Sequence, residues 1–172
     1  FEEREAPAYD EAAVQRAQKL AQKKPFSGCP GMRAKQFQRS TAPAAGAACP
    51  SQLSQWPVQI KLAGVMAPYF DDADLLIAAD CTAYAYGNFH EKFIRGRITL
   101  IGCPKLDAVD YAEKLTAIFA AHSIRSVTVA RMEVPCCGGI EQAVQRAIAA
   151  SGKAISCHVT VIGTDGTIQE ER

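Results

Sequence analysis

The sequence predicts an α/β fold: a doubly wound, mostly parallel sheet of the flavodoxin-like or Rossmann-like kind, with an N-terminal helical arm. Continuous apolar runs, typical of buried parallel strands, recur along the chain. Patterns with the helical period of about 3.6 residues separate the later runs. Because the alternation begins after residue 50, we expect residues 1–50 to form a helix and loop arm and residues 51–172 to form the α/β domain.

The arm should contain one amphipathic helix followed by a long loop. Residues 10–23 place apolar side chains on one stripe behind Asp10, a candidate cap. Proline and glycine interrupt residues 25–50, including the turn GCPG at 28–31. This connection is therefore expected to be irregular.

The domain should alternate strands with helices. We expect strands at 58–63, 74–79, 97–102, 126–132 and 156–162. Asp107 is expected to cap a helix whose buried face contains Val109, Ala112, Leu115, Ile118 and Phe119. The next helix is marked by Ile140, Val144 and Ile148, and a charged tail follows the turn at 163–166.

Composition argues against several classes of function. Nineteen basic and eighteen acidic residues give a net charge of +1, with no basic and aromatic cluster suited to nucleic acid. No run approaches the roughly twenty apolar residues of a membrane span, and the first residues do not resemble a signal peptide, so we expect a soluble, cytoplasmic protein. Neither glycine-rich nucleotide motif occurs, which disfavours a nucleotide enzyme.

Seven cysteines are many for a cytoplasmic domain of this length, and the number is odd. In a reducing compartment this favours metal or redox chemistry over disulfides. Free cysteine also fills space in protein cores, and we expect that role for Cys49 and Cys157.

Four cysteines directly follow three successive predicted strands: Cys81, Cys103, and the pair Cys136 and Cys137. Because the carboxyl ends of parallel strands share one edge of a sheet, these thiols are expected to converge there. The pair also begins a predicted helix, whose unpaired amides favour thiolate over thiol. The sequence therefore predicts a ligand site at this edge.

Two further residues are candidate ligands. Cys29 lies in the GCPG turn, and His90 follows Cys81 by nine residues. Thiolates select iron–sulfur clusters, zinc or copper(I), whereas an added imidazole favours zinc. Ligand types alone leave the choice between an iron–sulfur cluster and zinc open.

Several longer strings resemble a family of iron–sulfur proteins of anaerobes. They are AADC at 78–81, LIGCPKLD at 100–107 and RMEVPCCGG at 131–139, supported by GCPG at 28–31 and QWPVQ at 55–59. In that family a two-cluster ferredoxin module precedes a cysteine-containing α/β domain. The ferredoxin motif C-x-x-C-x-x-C is absent here, and the chain begins with Phe rather than Met. The resemblance thus raises the hypothesis that an upstream ferredoxin module was lost by truncation or proteolysis, and the sequence leaves this open.

A more distant similarity is to the cysteine-rich domains of heterodisulfide-reductase-type proteins. Cys103 precedes the Cys136 and Cys137 pair with 32 residues between them, as in one half of that motif. The downstream C-x-x-C of the other half is missing. Only a general multi-thiolate site is implied.

The leading hypothesis is a redox or electron-transfer protein with a 4Fe–4S-type or other metal centre on the four edge cysteines, and with Cys29 or His90 as additional ligands. Its expected partner is the ferredoxin module or another redox protein, and a homodimer stays open. One alternative is a zinc-dependent lyase or hydrolase in which Asp80 handles the bound water. The other is a metal-free redox protein that uses Cys136 and Cys137.

Overall fold

The computed structural model describes residues 49–172 and, in addition, the main chain of Lys35 and Gln36. The chain divides into two units, Phe1–Arg33 and Ala34–Arg172, and all described residues belong to the second. The helix expected at 10–23 and the turn with Cys29 lie outside the described residues. The boundary at residue 50 stays a prediction.

Seven strands occur in the described part of the chain. They are β1 Lys35–Gln36, β2 Gln55–Trp56, β3 Asp74–Ala79, β4 Ile98–Gly102, β5 Ser126–Met132, β6 Ser156–Ile162 and β7 Ile168–Glu171. β1 and β2 form a small antiparallel pair, and the other five form one sheet in the order β4, β3, β5, β6, β7. Within that sheet β3 to β6 are parallel and β7 is antiparallel to β6.

Helical segments connect the parallel strands. These are α1 Thr82–Ala85, a π-helical turn His90–Ile94, α2 Tyr111–Ala121 and α3 Gly138–Ser151. No helix in the described part of the chain is long and apolar enough to cross a membrane.

The sheet carries an apolar cluster on each face. On the first face, side chains such as Leu75 and Val127 pack with α2 and α3. On the second face, Leu76 and Ala78 pack with Phe89 and the π-helical turn. Since β3 is buried on both faces, its sequence is a continuous apolar run rather than an alternating one.

The structure confirms the predicted fold class, a mostly parallel α/β sheet with helices. Four of the five expected strands are present, and three of them, at 74–79, 126–132 and 156–162, have the expected bounds. The helical stripe of Ala112, Leu115, Ile118 and Phe119 is buried, as are Ile140 and Val144.

The strand expected at 58–63 is wrong. This segment forms one parallel bridge, between Gln59 and Ile101, and then turns. The amides of Leu62 and Ala63 donate to the Gln59 carbonyl at 2.9 and 3.0 Å, which closes the turn. The apolar residues here are buried because the turn packs against the first face, so burial alone produced the strand-like pattern.

The helix start expected at Asp107 is also wrong. Asp110 caps α2, its side chain accepting a hydrogen bond from the Ala112 amide at 3.0 Å. Val109 therefore lies outside the helix and is 47% exposed rather than buried. Two aspartates three residues apart are both plausible caps from sequence, and the one nearer the apolar stripe takes the role.

The charged tail contains an unexpected strand, β7. Its residues are largely exposed, and a register irregularity interrupts its pairing with β6. A charged, exposed strand at a sheet edge lacks the apolar alternation on which strand prediction depends.

A three-residue ionic network joins β5, α3 and the chain after β7. Glu141 accepts hydrogen bonds from Arg131 Nε at 2.7 Å and from Arg172 Nη2 at 2.6 Å. The side chains of Glu141 and Arg131 are only 12% and 17% exposed. Burial opposes the charged carboxylate, but the two arginines hold the pKa of Glu141 below its usual value.

We expect the substitution Glu141→Gln to lower the free energy of unfolding by about 1–2 kcal/mol at pH 7, because it weakens two hydrogen bonds between charged groups. Since the folded pKa is lowered, this stability is present above the unfolded value of about 4.3 and is lost as pH falls through the folded pKa. Urea unfolding of both proteins between pH 7 and pH 3 measures the difference. Glu113→Gln, an exposed change on α2, is the matched control. A difference that does not shrink in acid would contradict this assignment.

Candidate functional site

The chain reverses its direction of winding between β3 and β5. After β3 it crosses over the second face to β4, whereas after β5 it crosses over the first face to β6. β3 and β5 are neighbours, so their carboxyl ends flank the point where the connections diverge. In open α/β sheets ligands bind in the crevice at such a switch point.

Three of the predicted cysteines flank this switch point. Cys81 follows β3 at the start of α1 and is exposed. Cys136 and Cys137 lie in a 3₁₀ turn, Pro135–Cys137, that leads from β5 into α3, with Cys136 exposed and Cys137 buried. The thiols of Cys136 and Cys137 interact with each other, and Cys81 is close enough to influence Cys137 electrostatically. The structure thus places these three at the same edge of the sheet.

The buried thiol of Cys137 does not match the expectation of a thiolate. Burial raises its pKa, and the neighbouring thiols of Cys136 and Cys81 raise it further, although a main-chain hydrogen bond from Met132 opposes them. Its side chain is 5% exposed and packs in the apolar cluster of the second face. Burial therefore affects the pKa of Cys137 more than the unpaired amides at the start of α3 do. The sequence alone does not reveal that this side chain is buried.

Cys103 follows β4 in a tight turn beside the same edge. Its carbonyl accepts hydrogen bonds from the amides of Leu106 and Asp107 at 3.1 and 2.9 Å. The turn approaches α3 so closely that a Cβ atom on Gly139 would lie 3.1 Å from Pro104 Cβ. Because β3 separates β4 from β5, the two loops meet across the carboxyl end of β3, where Cys81 follows. The glycine after the cysteine pair is what permits this approach.

A polar group lies beside Cys103, and of its members the sequence indicated only Asp80. Asp80, Asp107 and Lys61 line a shallow cavity of about 300 Å³. Tyr111 donates a hydrogen bond to Asp107 Oδ2 at 2.5 Å, and its hydroxyl packs against Gly102, where any Cβ would collide with it. The four-residue spacing of Asp107 and Tyr111 is the sequence signal for this contact, although the same sequence also favours Asp107 as a helix cap.

Asp80 has an unusual environment for a carboxyl group. Its Oδ1 atom is buried and has no hydrogen-bond partner in the described part of the chain. Burial raises the pKa of Asp80, and the nearby Asp107 carboxylate raises it further. The proton is thus held more tightly here than on an exposed aspartate, as suits a group beside a ligand site.

The other two ligand candidates are His90 and Cys29, and the two cysteines expected to have a structural role are Cys49 and Cys157. His90 Nδ1 accepts a hydrogen bond from the Gln52 amide at 3.1 Å, which uses one of its two ring nitrogens. Cys49 is exposed, and Cys157 is half-buried on β6 against the cluster of the first face. Cys29 is not among the described residues.

The donor chemistry of the edge suits a soft metal, since thiols predominate. As the side chains stand, however, no three His, Cys, Asp or Glu residues within the described chain are grouped so as to hold a metal ion. All six described cysteines are free thiols. Exposed cysteines reorient by rotation about the single χ1 bond, so Cys81 and Cys136 can change the position of their sulfur atoms without any change in the fold.

Comparisons with known proteins agree with this architecture. An uncharacterised protein of Archaeoglobus fulgidus is 28% identical over 118 residues, which are 69% of this chain and 84% of that protein. No solved structure matches the chain. The model of a family described as Rossmann-like domain matches residues 67–172, a segment that begins just before β3 and includes the sheet, both long helices and the four edge cysteines. The chain therefore belongs to the Rossmann-like domain family.

Proposed function

We propose that the edge cysteines bind a soft metal centre, an iron–sulfur cluster, and that the protein acts in redox chemistry or electron transfer. The supporting observation is that loops after three adjacent parallel strands, each beginning with or containing cysteine, meet at a topological switch point. Cys81, Cys103, Cys136 and Cys137 are the proposed ligands. Cys29 and His90 are additional candidates.

The chain's own contribution to such a centre is positional. The parallel sheet fixes the main chain on either side of each cysteine, and the Gly139 contact with Pro104 holds two of the loops together. The first turn of α3 also leaves unpaired amides at this edge, but burial outweighs their effect at Cys137, so a bound metal ion would have to favour the deprotonated sulfur there. An iron–sulfur cluster bound there would supply one-electron transfer.

The proposed partner is a ferredoxin, either as an upstream module or as a separate redox protein, as the resemblance to iron–sulfur proteins implies. A cytoplasmic location belongs to the same proposal, because six free thiols persist most readily in a reducing compartment.

Anaerobically purified protein should contain iron and sulfide and should absorb broadly in the visible range. Cys81→Ala, Cys103→Ala and the double substitution Cys136→Ala with Cys137→Ala should each lose most of both, because each removes a ligand. Elemental analysis and visible spectra measure this. Cys49→Ala, also an exposed cysteine, should keep the wild-type metal content.

Wild-type protein that stays free of iron after anaerobic reconstitution would sink the iron–sulfur proposal. Stoichiometric zinc without colour would instead favour the zinc-dependent lyase or hydrolase, with Asp80 beside the metal-bound water. Retention of metal by the double variant would show that the cysteine pair is not a ligand.

A second candidate function is metal-free dithiol redox chemistry. The interaction between the Cys136 and Cys137 thiols favours it, as does the electrostatic influence of Cys81 on Cys137. Adjacent cysteines form a strained ring when oxidised, so a disulfide between Cys81 and one of the pair is the better geometry to test.

If this second candidate holds, metal-free protein treated with a mild oxidant should lose two titratable thiols, and a reductant should restore them. Cys81→Ser should abolish the loss if Cys81 is a member of the disulfide, whereas Cys157→Ser on β6 should not. Thiol titration with chelator present, followed by peptide mass mapping, makes the measurement. An unchanged thiol count in oxidised wild-type protein would exclude this function.

A further inference from the structure

The second face of the sheet changes character from β3 towards β6. In β5 and β6 every residue that points to the first face at the centre of the sheet is valine: Val127, Val129, Val159 and Val161. The intervening positions on the second face include Thr128, His158 and Thr160 instead. A face that only had to pack against the chain would be apolar in a doubly wound fold, so these polar residues require a separate explanation.

Two of these threonines are deeply buried without hydrogen-bond partners for their side chains. Thr160 is 5% exposed and Thr128 is 9% exposed. Neither hydroxyl bonds to another residue of the described chain, and both residues line a cavity of about 420 Å³. Neither hydroxyl oxygen is among the fully buried, unpaired side-chain oxygens of the described chain, so both open into the cavity and are available to a ligand or water there.

Cationic groups from the π-helical turn and its end complete the cavity. Arg97 Nη1 donates to the carbonyls of Phe93 and Lys92 at 2.9 and 3.2 Å, which fixes the guanidinium group. Its Nε and Nη2 groups donate to no other described residue. Lys92 also lines the cavity, and its Nζ atom lies 2.9 Å from Glu171 Oε1.

The charges around the cavity leave a positive excess. Glu171 balances Lys92, and Arg172, whose main chain borders the cavity, directs its guanidinium to Glu141 and Glu170. The charge of Arg97 has no carboxylate within salt-bridge distance in the described chain. The fixed guanidinium of Arg97 has free N–H groups and lies at the same cavity as the Thr128 and Thr160 hydroxyls, so together these donors are complementary to an oxyanion.

We propose that this cavity binds a small organic molecule through an oxyanion group, a phosphate or a carboxylate, which accepts hydrogen bonds from Arg97, Thr128 and Thr160. The cavity volume is within the range for small-molecule sites and is larger than a bare ion requires. When Lys92 breaks its ion pair with Glu171, its ammonium group becomes available to the ligand. The site lies on the face of the sheet, away from the switch point, and does not depend on the proposed function of the cysteines.

The test uses the full chain and two probes, inorganic phosphate and succinate, titrated at constant ionic strength against chloride. Amide and Arg97 Nε–H chemical shifts report binding by NMR. A response to phosphate alone assigns a phosphate group, and a response to succinate alone assigns a carboxylate. A response to both supports the shared oxyanion chemistry. If neither probe causes saturable shifts around Thr128 and Thr160, the proposal is overturned.

Substitutions of opposite expected effect separate binding from misfolding. Thr160→Val should weaken binding about tenfold, because it removes one hydrogen-bond donor and keeps the shape. Glu171→Gln should strengthen binding about threefold to tenfold, because it removes the carboxylate that competes for Lys92 and repels the ligand.

Thr99→Val is the matched control. Thr99 is 2% exposed and its hydroxyl is also unpaired in the described chain, but it does not line the cavity. Its substitution should leave the affinity unchanged. Equal affinities for wild type, Thr160→Val and Glu171→Gln, or equal weakening by Thr99→Val and Thr160→Val, would overturn the assignment. Iron and sulfide content should be the same in all of these variants.

Discussion

The parallel pairing of β3 with both β4 and β5 is the constraint on which the rest of the domain depends. Because parallel neighbours cannot be joined by a tight hairpin, each connection must cross the sheet. One crossover covers the second face and two cover the first, so β3 is buried on both sides. The same pairing aligns the carboxyl ends of three strands, and every loop that bears an edge cysteine begins there.

The sequence predicts correctly those strands whose apolar run has a single cause, which is burial in a parallel sheet. β3, β5 and β6 are buried in parallel arrays, and their apolar runs have no competing explanation. The segment at 58–63 is buried for a different reason, since it is a turn packed on the first face, and burial without regular pairing has the same apolar signature. β7 is the opposite case: it pairs with β6 but is exposed, so it has no apolar signature.

The same distinction applies to the site. The order of strands and cysteines predicts which edge the thiols share, because topology fixes it. It does not predict protonation, which depends on how deeply each thiol is buried. Cys136 and Cys137 are neighbours in sequence, but one is exposed and the other lies in the apolar cluster. Nor does it predict Asp107 and Tyr111, whose roles follow from the exact start of α2.

Both edges of the sheet are closed to additional strands. At β4 the Ile101 amide donates to Val58 and the Ile101 carbonyl accepts from Ile60, so that the turn after Pro57 occupies this edge. At the other edge β7 is four residues long and has exposed glutamates, which disfavour a further chain. Association with a second copy or with a redox protein would therefore use side chains of loops and helices. The sheet is thereby protected from edge-to-edge pairing, so the exposed cysteine loops at its carboxyl end can stay open to a ligand or a partner without an unpaired strand beside them.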